Sequence, residues 1–168
     1  PALFLDRDGT INLDTGYPDD PAAMALRDGI APVIAAANER GIPVVVVTNQ
    51  SGIARGYFGW DAFARVNGRV LDLLAEQNAF VDMVLACAYH EAGTGLLAMV
   101  DHPMRKPNPG MLLEAGRQLG LDLKGSLIVG LTRGWLVDGE GSMMGGLSVL
   151  PLRDATDLGG LLTAVRSL

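Results

Sequence analysis

The sequence predicts an α/β fold with a doubly wound parallel sheet for the whole chain, residues 1–168. Short apolar runs alternate with longer amphipathic segments, the order expected when crossover helices connect parallel strands. The run Val44–Val47 is apolar at every position, as in strands buried on both faces. A length of 168 residues suits one domain with its own hydrophobic core. We therefore expect a single domain without repeats or linkers.

The first half of the chain supplies two strands and two helices. Ala2–Leu5 is a short apolar run and is predicted as the first strand, and Val44–Val47 is the second. Between them, Ile30–Arg40 has the composition of a helix, and Gly41 is expected to cap its C-terminus. Apolar residues recur with a helical period over Asp61–Asn78, which predicts a helix lying on the sheet with one face.

The second half continues the same alternation. After a third strand comes an irregular segment, Tyr89–Pro107, which is long enough to suggest function. Pro109 is expected to open the next helix, which ends at Leu119. The remaining predicted elements are the strands Met83–Ala88, Leu127–Val129, Trp135–Val137 and Ser148–Leu150 and the terminal helix Leu158–Val165.

Composition excludes several classes of protein. Apolar residues make up 49% and charged residues 19%, which is too hydrophobic for a disordered chain, yet no apolar run approaches the roughly 18 residues that cross a bilayer. The net charge of −6 argues against a nucleic-acid partner, because phosphate backbones attract clustered cations. A single cysteine, Cys87, excludes an intramolecular disulfide, and no signal-peptide pattern opens the sequence. We expect a cytoplasmic protein with no membrane partner.

Two carboxylates follow the first strand. Asp6 and Asp8 are one residue apart and precede Gly9 and Thr10. In open α/β sheets, ligands bind at the carboxyl ends of strands. One carboxylate there can attack phosphorus while the other protonates the leaving oxygen, and a clustered pair also recruits Mg²⁺. Taken alone, the same spacing is equally consistent with a polar turn.

Two further motifs support phosphate chemistry. The second strand runs directly into Thr48–Gly52, whose hydroxyl and backbone N–H groups can hold phosphoryl oxygens, although such a segment alone is usually a turn. Arg105 and Lys106 supply two adjacent cations before a predicted helix. A pair of this kind is more often a solvated surface patch, so it gains significance only from the other motifs.

Together these motifs resemble the haloacid dehalogenase superfamily of phosphatases. Within it, the chain looks like the subgroup of D-glycero-D-manno-heptose-1,7-bisphosphate 7-phosphatases and histidinol-phosphate phosphatases. The likeness runs from about Leu3 to about Val129, and it is carried by Asp6–Asn12, Gly16–Tyr17, Thr48–Gly56 and Arg105–Met111. It implies a Rossmann-type domain, and the spacing of the motifs leaves no room for a large cap domain.

The resemblance also implies an activity and residue roles. The activity is Mg²⁺-dependent phosphomonoester hydrolysis through an aspartyl-phosphate, with the 7-phosphate of the heptose bisphosphate as the first candidate and histidinol phosphate or another small molecule as the alternative. Asp6 is implied as nucleophile and metal ligand, and Asp8 as general acid/base and metal ligand through its carbonyl. Thr48 and Lys106 are implied to stabilise the phosphoryl group. The implied sugar-phosphate contacts are Asp14, Thr15, Gly16, Tyr17, Asn49, Gln50, Ser51 and Arg105.

The chain departs from this family at a loop that often carries zinc, of the form Cys-x-His … Cys-x-Cys. The matching positions hold Cys87, Tyr89, His102 and Met104. Tyr and Met are poor zinc ligands, and the other two residues cannot close a tetrahedral site. We expect the zinc site to be lost. The alternative is that His90 joins Cys87 and His102 to hold the metal. The loop is then expected to fold by packing of its apolar residues Leu96, Leu97, Met99 and Val100.

The second departure concerns the family's fourth motif, Val-Gly-Asp-x-x-x-Asp, whose first aspartate completes the metal site. Here Val129 and Gly130 are followed by Leu131, and both aspartates are absent. Too few residues then separate two predicted strands, since a parallel crossover needs roughly ten to twelve. We expect about a dozen residues, disordered and therefore missing from the sequence as printed, between Gly130 and Leu131.

A true deletion would change the functional class. The chain would then be a non-catalytic module that binds a sugar phosphate, with Asp138 and Glu140 as the only nearby carboxylates that might substitute. In either case the expected partner is a small-molecule sugar phosphate. No exposed apolar helix stripe argues for a dimer, so we expect a monomer.

Overall fold

The computed structural model describes residues 1–130, 142–143, 147–151 and 157–168. Its strands are β1 (Leu3–Leu5), β2 (Val44–Asn49), β3 (Met83–Cys87), β4 (Leu127–Gly130), β5 (Ser142–Met143) and β6 (Leu147–Pro151). They form one sheet in the order β3-β2-β1-β4-β6-β5, in which only the edge strand β5 is antiparallel. The predicted parallel α/β sheet is confirmed. The antiparallel edge was not predicted, because a two-residue strand carries no periodic signal.

Helices connect these strands. They are α1 (Ile30–Glu39), α2 (Ser51–Ala54), α3 (Trp60–Ala75), α4 (Gly110–Leu119) and α5 (Asp157–Ser167), with 3₁₀ turns at Pro21–Ala23 and Gly95–Leu97. Gly41 follows α1 with a φ of 66°, as expected for a C-terminal glycine. Helix α3 ends three residues before the predicted Asn78, which has a φ of 57° and therefore cannot continue a right-handed helix.

Alternation along the strands divides the core into two layers. Leu3 and Leu5 of β1 face α1, α3 and α5, together with buried residues of those helices. Phe4 lies on the opposite face and packs with Met111 and Ala115 of α4. Because the faces alternate residue by residue, each strand is apolar throughout and the sheet is covered on both sides.

Three predictions lie at or beyond the limits of the described ranges. The predicted strand Trp135–Val137, the carboxylates Asp138 and Glu140, and the junction from Gly130 to Leu131 all involve residues outside them. Among the helices within the ranges, none combines the length and apolar character needed to cross a bilayer.

Candidate active site

The site lies where the strand order reverses. β1 has β2 on one side and β4 on the other. Helix α1, which connects β1 to β2, and helix α4, which precedes β4, cover opposite faces of the sheet. Asp6 directly follows β1, and its N–H donates to the carbonyl of Val129 in β4 at 2.9 Å. This is the topological switch point at which ligands bind in open α/β sheets. The expected position of Asp6 at the edge of the sheet is therefore the observed one.

Lys106 forms an ion pair with Asp6. Its Nζ lies 2.7 Å from Asp6 Oδ1 and also donates to the carbonyl of Val47 at 2.9 Å. The N–H of Arg7 donates to the same Oδ1 at 2.8 Å. Asp6 Oδ2 accepts no hydrogen bond from residues in the described ranges. One carboxylate oxygen is thus anchored while the other is left for a ligand.

Burial also affects the charge of Lys106. Loss of hydration lowers the pKa of this ammonium group, and the neighbouring Arg105 lowers it further, whereas Asp6 and Asp8 raise it. The net pKa shift is downward because the desolvation is the largest of these effects. Asp6 is therefore the principal group that keeps a cation in place at this depth.

Asn49 fixes the backbone of Lys106. The Asn49 amide donates to the Lys106 carbonyl at 3.0 Å and accepts from the Lys106 N–H at 3.1 Å. These two bonds join the end of β2 to a residue 57 positions later in the chain. The side chain predicted to contact substrate thus has both amide functions directed to Lys106.

Three side chains hold the Asp8 carboxylate. Arg7 donates from Nε to Oδ1 at 3.0 Å and from Nη2 to Oδ2 at 2.9 Å, and Asn12 Nδ2 donates to Oδ1 at 3.2 Å. Gln50 Nε2 donates to Asp8 Oδ2 and to Thr48 Oγ1, both at 2.8 Å. Gln50 therefore joins the predicted acid/base to the predicted phosphoryl-binding hydroxyl, rather than presenting its amide to solvent.

Arg7 is the most deeply buried charge of this group. Its side chain is 1% exposed, and its guanidinium carbon lies 5.2 Å from the centre of the Phe63 ring of α3. The pairing with Asp8 and the aromatic face offset the cost of burying this cation. Packing of α3 is in this way connected to the geometry of Asp8.

The predicted contacts at Asp14–Tyr17 lie on the exposed rim of the site. Asp14 accepts from the N–H of Gly16 at 2.9 Å, and Gly16 has a φ of 89°, so these residues form a tight turn. Tyr17 packs edge to face on Tyr57 with ring centres 4.8 Å apart. Thr15 is exposed in the same turn, and Ser51 is half-buried at the start of α2. None of the contacts within the described ranges joins these residues to Asp6.

Arg105 lies in the irregular loop before α4. Its Nη1 donates to the Tyr89 carbonyl at 3.1 Å, and its N–H donates to the His102 carbonyl at 2.8 Å. Arg105, Lys106 and His90 line a cleft of about 280 Å³. The irregular segment therefore forms most of the wall of a cleft that Lys106 shares.

Known proteins share both this fold and these sequence motifs. A family model described as polynucleotide kinase 3 phosphatase matches residues 10–130. A D-glycero-beta-D-manno-heptose-1,7-bisphosphate 7-phosphatase from Mesorhizobium japonicum is 65% identical, and the match covers 100% of this chain and 83% of the relative. A crystal structure of a HAD-like phosphatase from Mesorhizobium loti superimposes with a TM-score of 0.87 at 64% identity, covering 99% of this chain and 86% of the other.

The chain belongs to the haloacid dehalogenase superfamily of phosphatases.

A more distant structure adds a metal to the comparison. The D,D-heptose 1,7-bisphosphate phosphatase from B. bronchiseptica, complexed with magnesium and phosphate, is 27% identical with a TM-score of 0.72, covering 97% of this chain and 99% of the other. In the present phosphatase, Asp6 Oδ2 and the main-chain carbonyl of Asp8 are oxygen atoms without a donor from the described ranges. Hard oxygen donors are what Mg²⁺ requires, so the donor set is compatible with this ion.

Aromatic stacking and core packing hold the base of the loop at which the zinc site was expected to be lost. The rings of Tyr89 and His102 are stacked, and His102 Nδ1 accepts from the Met104 N–H at 3.1 Å. Tyr89 and Met104 both pack against the core layer that contains Phe4. Within the part of the chain that the structure describes, no three His, Cys, Asp or Glu side chains are grouped to hold a metal. Loss of the zinc site itself stays a prediction.

The predicted packing of this loop is wrong. Leu96 is 95% exposed, Val100 71% and Met99 43%, and only Leu97 is half-buried. Backbone bonds determine the loop path instead, because His90 donates to Leu97 at 3.2 Å and accepts from Met99 at 3.2 Å. These apolar side chains consequently point outward at the tip of the loop, while the aromatic and sulfur side chains at its base face the core.

Sequence reasoning missed four residues of the site, namely Arg7, Asn12, Arg55 and His90. Arg7 lies between the two aspartates of the first motif, Asn12 follows them and Arg55 lies in the second motif, so their proximity to the site could have been inferred from position alone. Their contacts could not, since the bonds from Arg7 to Asp8 and from Arg55 to His90 depend on side-chain direction.

Proposed function

We propose that this phosphatase removes the 7-phosphate of D-glycero-D-manno-heptose 1,7-bisphosphate, depends on Mg²⁺ and forms an aspartyl-phosphate on Asp6. The observation that carries the proposal is the Asp6–Lys106 pair, in which one carboxylate oxygen is anchored at 2.7 Å from Nζ while the other has no donor among the residues that the structure describes. A nucleophilic carboxylate needs this arrangement, because it must be held in place and still present a lone pair to phosphorus.

The chemistry follows two steps. Asp6 Oδ2 attacks phosphorus, the bond between phosphorus and the sugar oxygen breaks, and Asp8 gives its proton to that leaving oxygen. Asp8 then takes a proton from water, which attacks the aspartyl-phosphate, so that inorganic phosphate leaves and Asp6 is regenerated. Lys106 and the Thr48 hydroxyl stabilise the oxygens of the transferred group. Gln50, which bonds both Asp8 and Thr48, keeps the acid/base and the phosphoryl site in register.

Asp6 and the carbonyl of Asp8 are the residues that would hold Mg²⁺. When bound, the ion neutralises phosphate charge and so reduces its repulsion of the carboxylate nucleophile. Two protein ligands are few, although Mg²⁺ commonly keeps several waters and takes oxygens from substrate phosphate. We propose that a further ligand follows Gly130, because β4 ends beside Asp6.

We also propose that the natural chain contains about a dozen residues more between Gly130 and Leu131. The alignment with the Mesorhizobium japonicum relative spans 181 positions and includes all of this 168-residue chain, so at least 13 positions of that relative face gaps. The match to the family model ends at residue 130. The intact mass of the protein purified from its source would decide this, because a mass equal to that of the printed sequence overturns the proposal.

The relatives also support a choice of substrate. The relative with 65% identity is named for the beta anomer, whereas one from Burkholderia mallei named for the alpha anomer is 39% identical over 98% of this chain. We therefore propose the beta anomer, with the alpha anomer and histidinol phosphate as weaker substrates. The net charge of −6 disfavours a polynucleotide, despite the description of the family model. The enzyme is further proposed to be a single-domain cytoplasmic monomer.

Phosphate release from the two anomers and from histidinol phosphate, each with Mg²⁺ and with EDTA, tests the function. We expect the highest kcat/KM for the beta bisphosphate with Mg²⁺, and no measurable turnover by Asp6→Asn. Calorimetric titration with the same bisphosphate distinguishes hydrolysis from the second candidate function, which is binding of a sugar phosphate without catalysis. If the full-length protein binds it without Mg²⁺-dependent turnover, the chain is a sugar-phosphate-binding module and the proposed hydrolysis is wrong.

A further inference from the structure

Arg55 has an incomplete set of hydrogen-bond partners. It follows α2, where Nη1 donates to the Tyr17 hydroxyl at 3.2 Å and Nη2 lies 3.1 Å from His90 Nε2. Its Nε is buried and has no partner within the described structure. A guanidinium carries five N–H donors and no acceptor. Because buried donors are normally hydrogen-bonded, the unpaired Nε of Arg55 requires an acceptor that the described residues do not supply.

Both ring nitrogens of His90 face hydrogen-bond donors. The Ala92 N–H points at Nδ1 from 2.9 Å, while the Arg55 guanidinium points at Nε2. A neutral imidazole has one accepting nitrogen and one N–H, so in either tautomer one of these contacts places a donor against a donor. Desolvation lowers the pKa of His90, the cations Arg105 and Arg55 lower it further, and Glu91 partly opposes this shift. The group is therefore rich in donors and lacks an acceptor.

One member of this donor cluster shares a cleft with the lysine that pairs with Asp6. His90, Arg105 and Lys106 line the same cleft of about 280 Å³. Glu91 and Asp101 are acidic residues on the same lining, but Asp101 already accepts from Asn108 Nδ2 at 2.8 Å. The cleft therefore connects His90, which contacts Arg55, to Lys106, which pairs with Asp6.

We propose that Arg55 and His90 bind the phosphate that is not hydrolysed and so select bisphosphates over monophosphates. The inference rests on the proposed function, in which the substrate carries phosphates at both ends of a seven-carbon sugar. A phosphate oxygen accepts from Nη2 and Nε of Arg55, and it also accepts from His90 in the tautomer with its proton on Nε2. That tautomer leaves Nδ1 to accept from Ala92, and the phosphate supplies the acceptor that the donors of Arg55 and His90 lack.

The ratio of kcat/KM for heptose 1,7-bisphosphate to that for heptose 7-phosphate tests the proposal. We expect Arg55→Gln and His90→Gln to lower the bisphosphate value about 10- to 100-fold, the loss expected when a charge-assisted hydrogen bond is removed, and to change the monophosphate value less than about 3-fold. Arg55→Lys keeps the charge without the planar fork and should give an intermediate ratio. Arg40→Gln, an exposed arginine after α1, serves as the matched control with an unchanged ratio.

The possible failures are distinguishable. The assignment of Arg55 and His90 is overturned if the variants melt like the wild type and lower kcat/KM equally for both substrates. It is also overturned if such variants leave both kcat/KM values unchanged. If they unfold, a titration of the wild-type enzyme decides, because the assignment requires the bisphosphate to bind at least about 10-fold more tightly than the monophosphate. A wild-type enzyme that hydrolyses the monophosphate but not the bisphosphate instead refutes the proposed function itself.

Discussion

Tyr89 and His102 stack face to face, with ring centres 3.7 Å apart and ring planes 6° from parallel. They occupy two of the four positions at which the family resemblance implied zinc ligands. The carbonyls of the same two residues accept hydrogen bonds from Arg105. The stacked rings therefore connect the two ends of the loop. The backbone carbonyls of the same residues hold Arg105, the neighbour of Lys106.

Removing this stack should lower the free energy of unfolding through lost packing, and no metal is expected to contribute to the loss. Tyr89→Ala is expected to lower the free energy of unfolding by about 2–4 kcal/mol, since it loses both core packing and a ring pair worth about 1 kcal/mol. Tyr89→Phe keeps the stack and should stay within about 0.5 kcal/mol of the wild type. Urea denaturation measures both values. In Mg²⁺-free buffer, EDTA is expected to leave the transition unchanged, and one equivalent of tightly held zinc by elemental analysis would contradict this account.

Gln50→Glu should impair catalysis more than binding. The substitution replaces the NH₂ group that donates to Asp8 and Thr48 with an acceptor and places a carboxylate beside Asp8. We expect kcat to fall about 10- to 100-fold with KM changed less than about 3-fold, because the acid/base loses its orientation. Gln77→Glu makes the same chemical change at an exposed position after α3. Steady-state kinetics that give equal losses for the two variants would rule out a role for Gln50.

Gly110→Ala should strain the segment that carries Lys106. A Cβ at Gly110 would collide with the backbone carbonyl of Pro103 and would lie 3.0 Å from Met104 Cα. Because these are backbone atoms, we expect a loss of about 1–3 kcal/mol in the free energy of unfolding together with reduced activity. Gly68→Ala is the matched control in α3, where a Cβ meets open space, and it should gain about 0.5–1 kcal/mol. Chemical denaturation of both variants checks the opposite signs.

Cys87 should remain an unreactive thiol in the folded protein. Its side chain is buried, and desolvation raises its pKa above the usual 9.0 despite the opposing Tyr89 backbone bond and Arg105 charge. Between 9.0 and the raised pKa the folded state binds more protons than the unfolded state, so the contribution of this group to stability falls as pH rises. A disulfide reagent should react slowly at pH 8 until denaturant is added. Rapid labelling without denaturant would mean that the site opens.

The sequence predicted the elements that carry strong patterns. The buried strands, the long helices and the placement of Asp6 at the end of β1 follow from apolar periodicity and from the rule for parallel sheets. What periodicity could not predict is side-chain direction. Leu96 and Val100 looked like packing residues because they are apolar, yet the backbone bonds of their loop expose them.

The same limit applies to the polar residues. The family resemblance implied that Asn49 and Gln50 contact substrate, which stays a prediction. In the structure their amides bond Lys106 and Asp8, which lie far away in sequence. A motif specifies which residues gather at a strand end, whereas the partner of each amide depends on three-dimensional contacts that spacing does not encode.

The pair of bonds between Asn49 and the backbone of Lys106 has an evolutionary consequence. The position of the active-site cation depends on a central strand rather than on the loop that precedes it. Substitutions between residues 89 and 104 can therefore change the loop while Lys106 keeps its place.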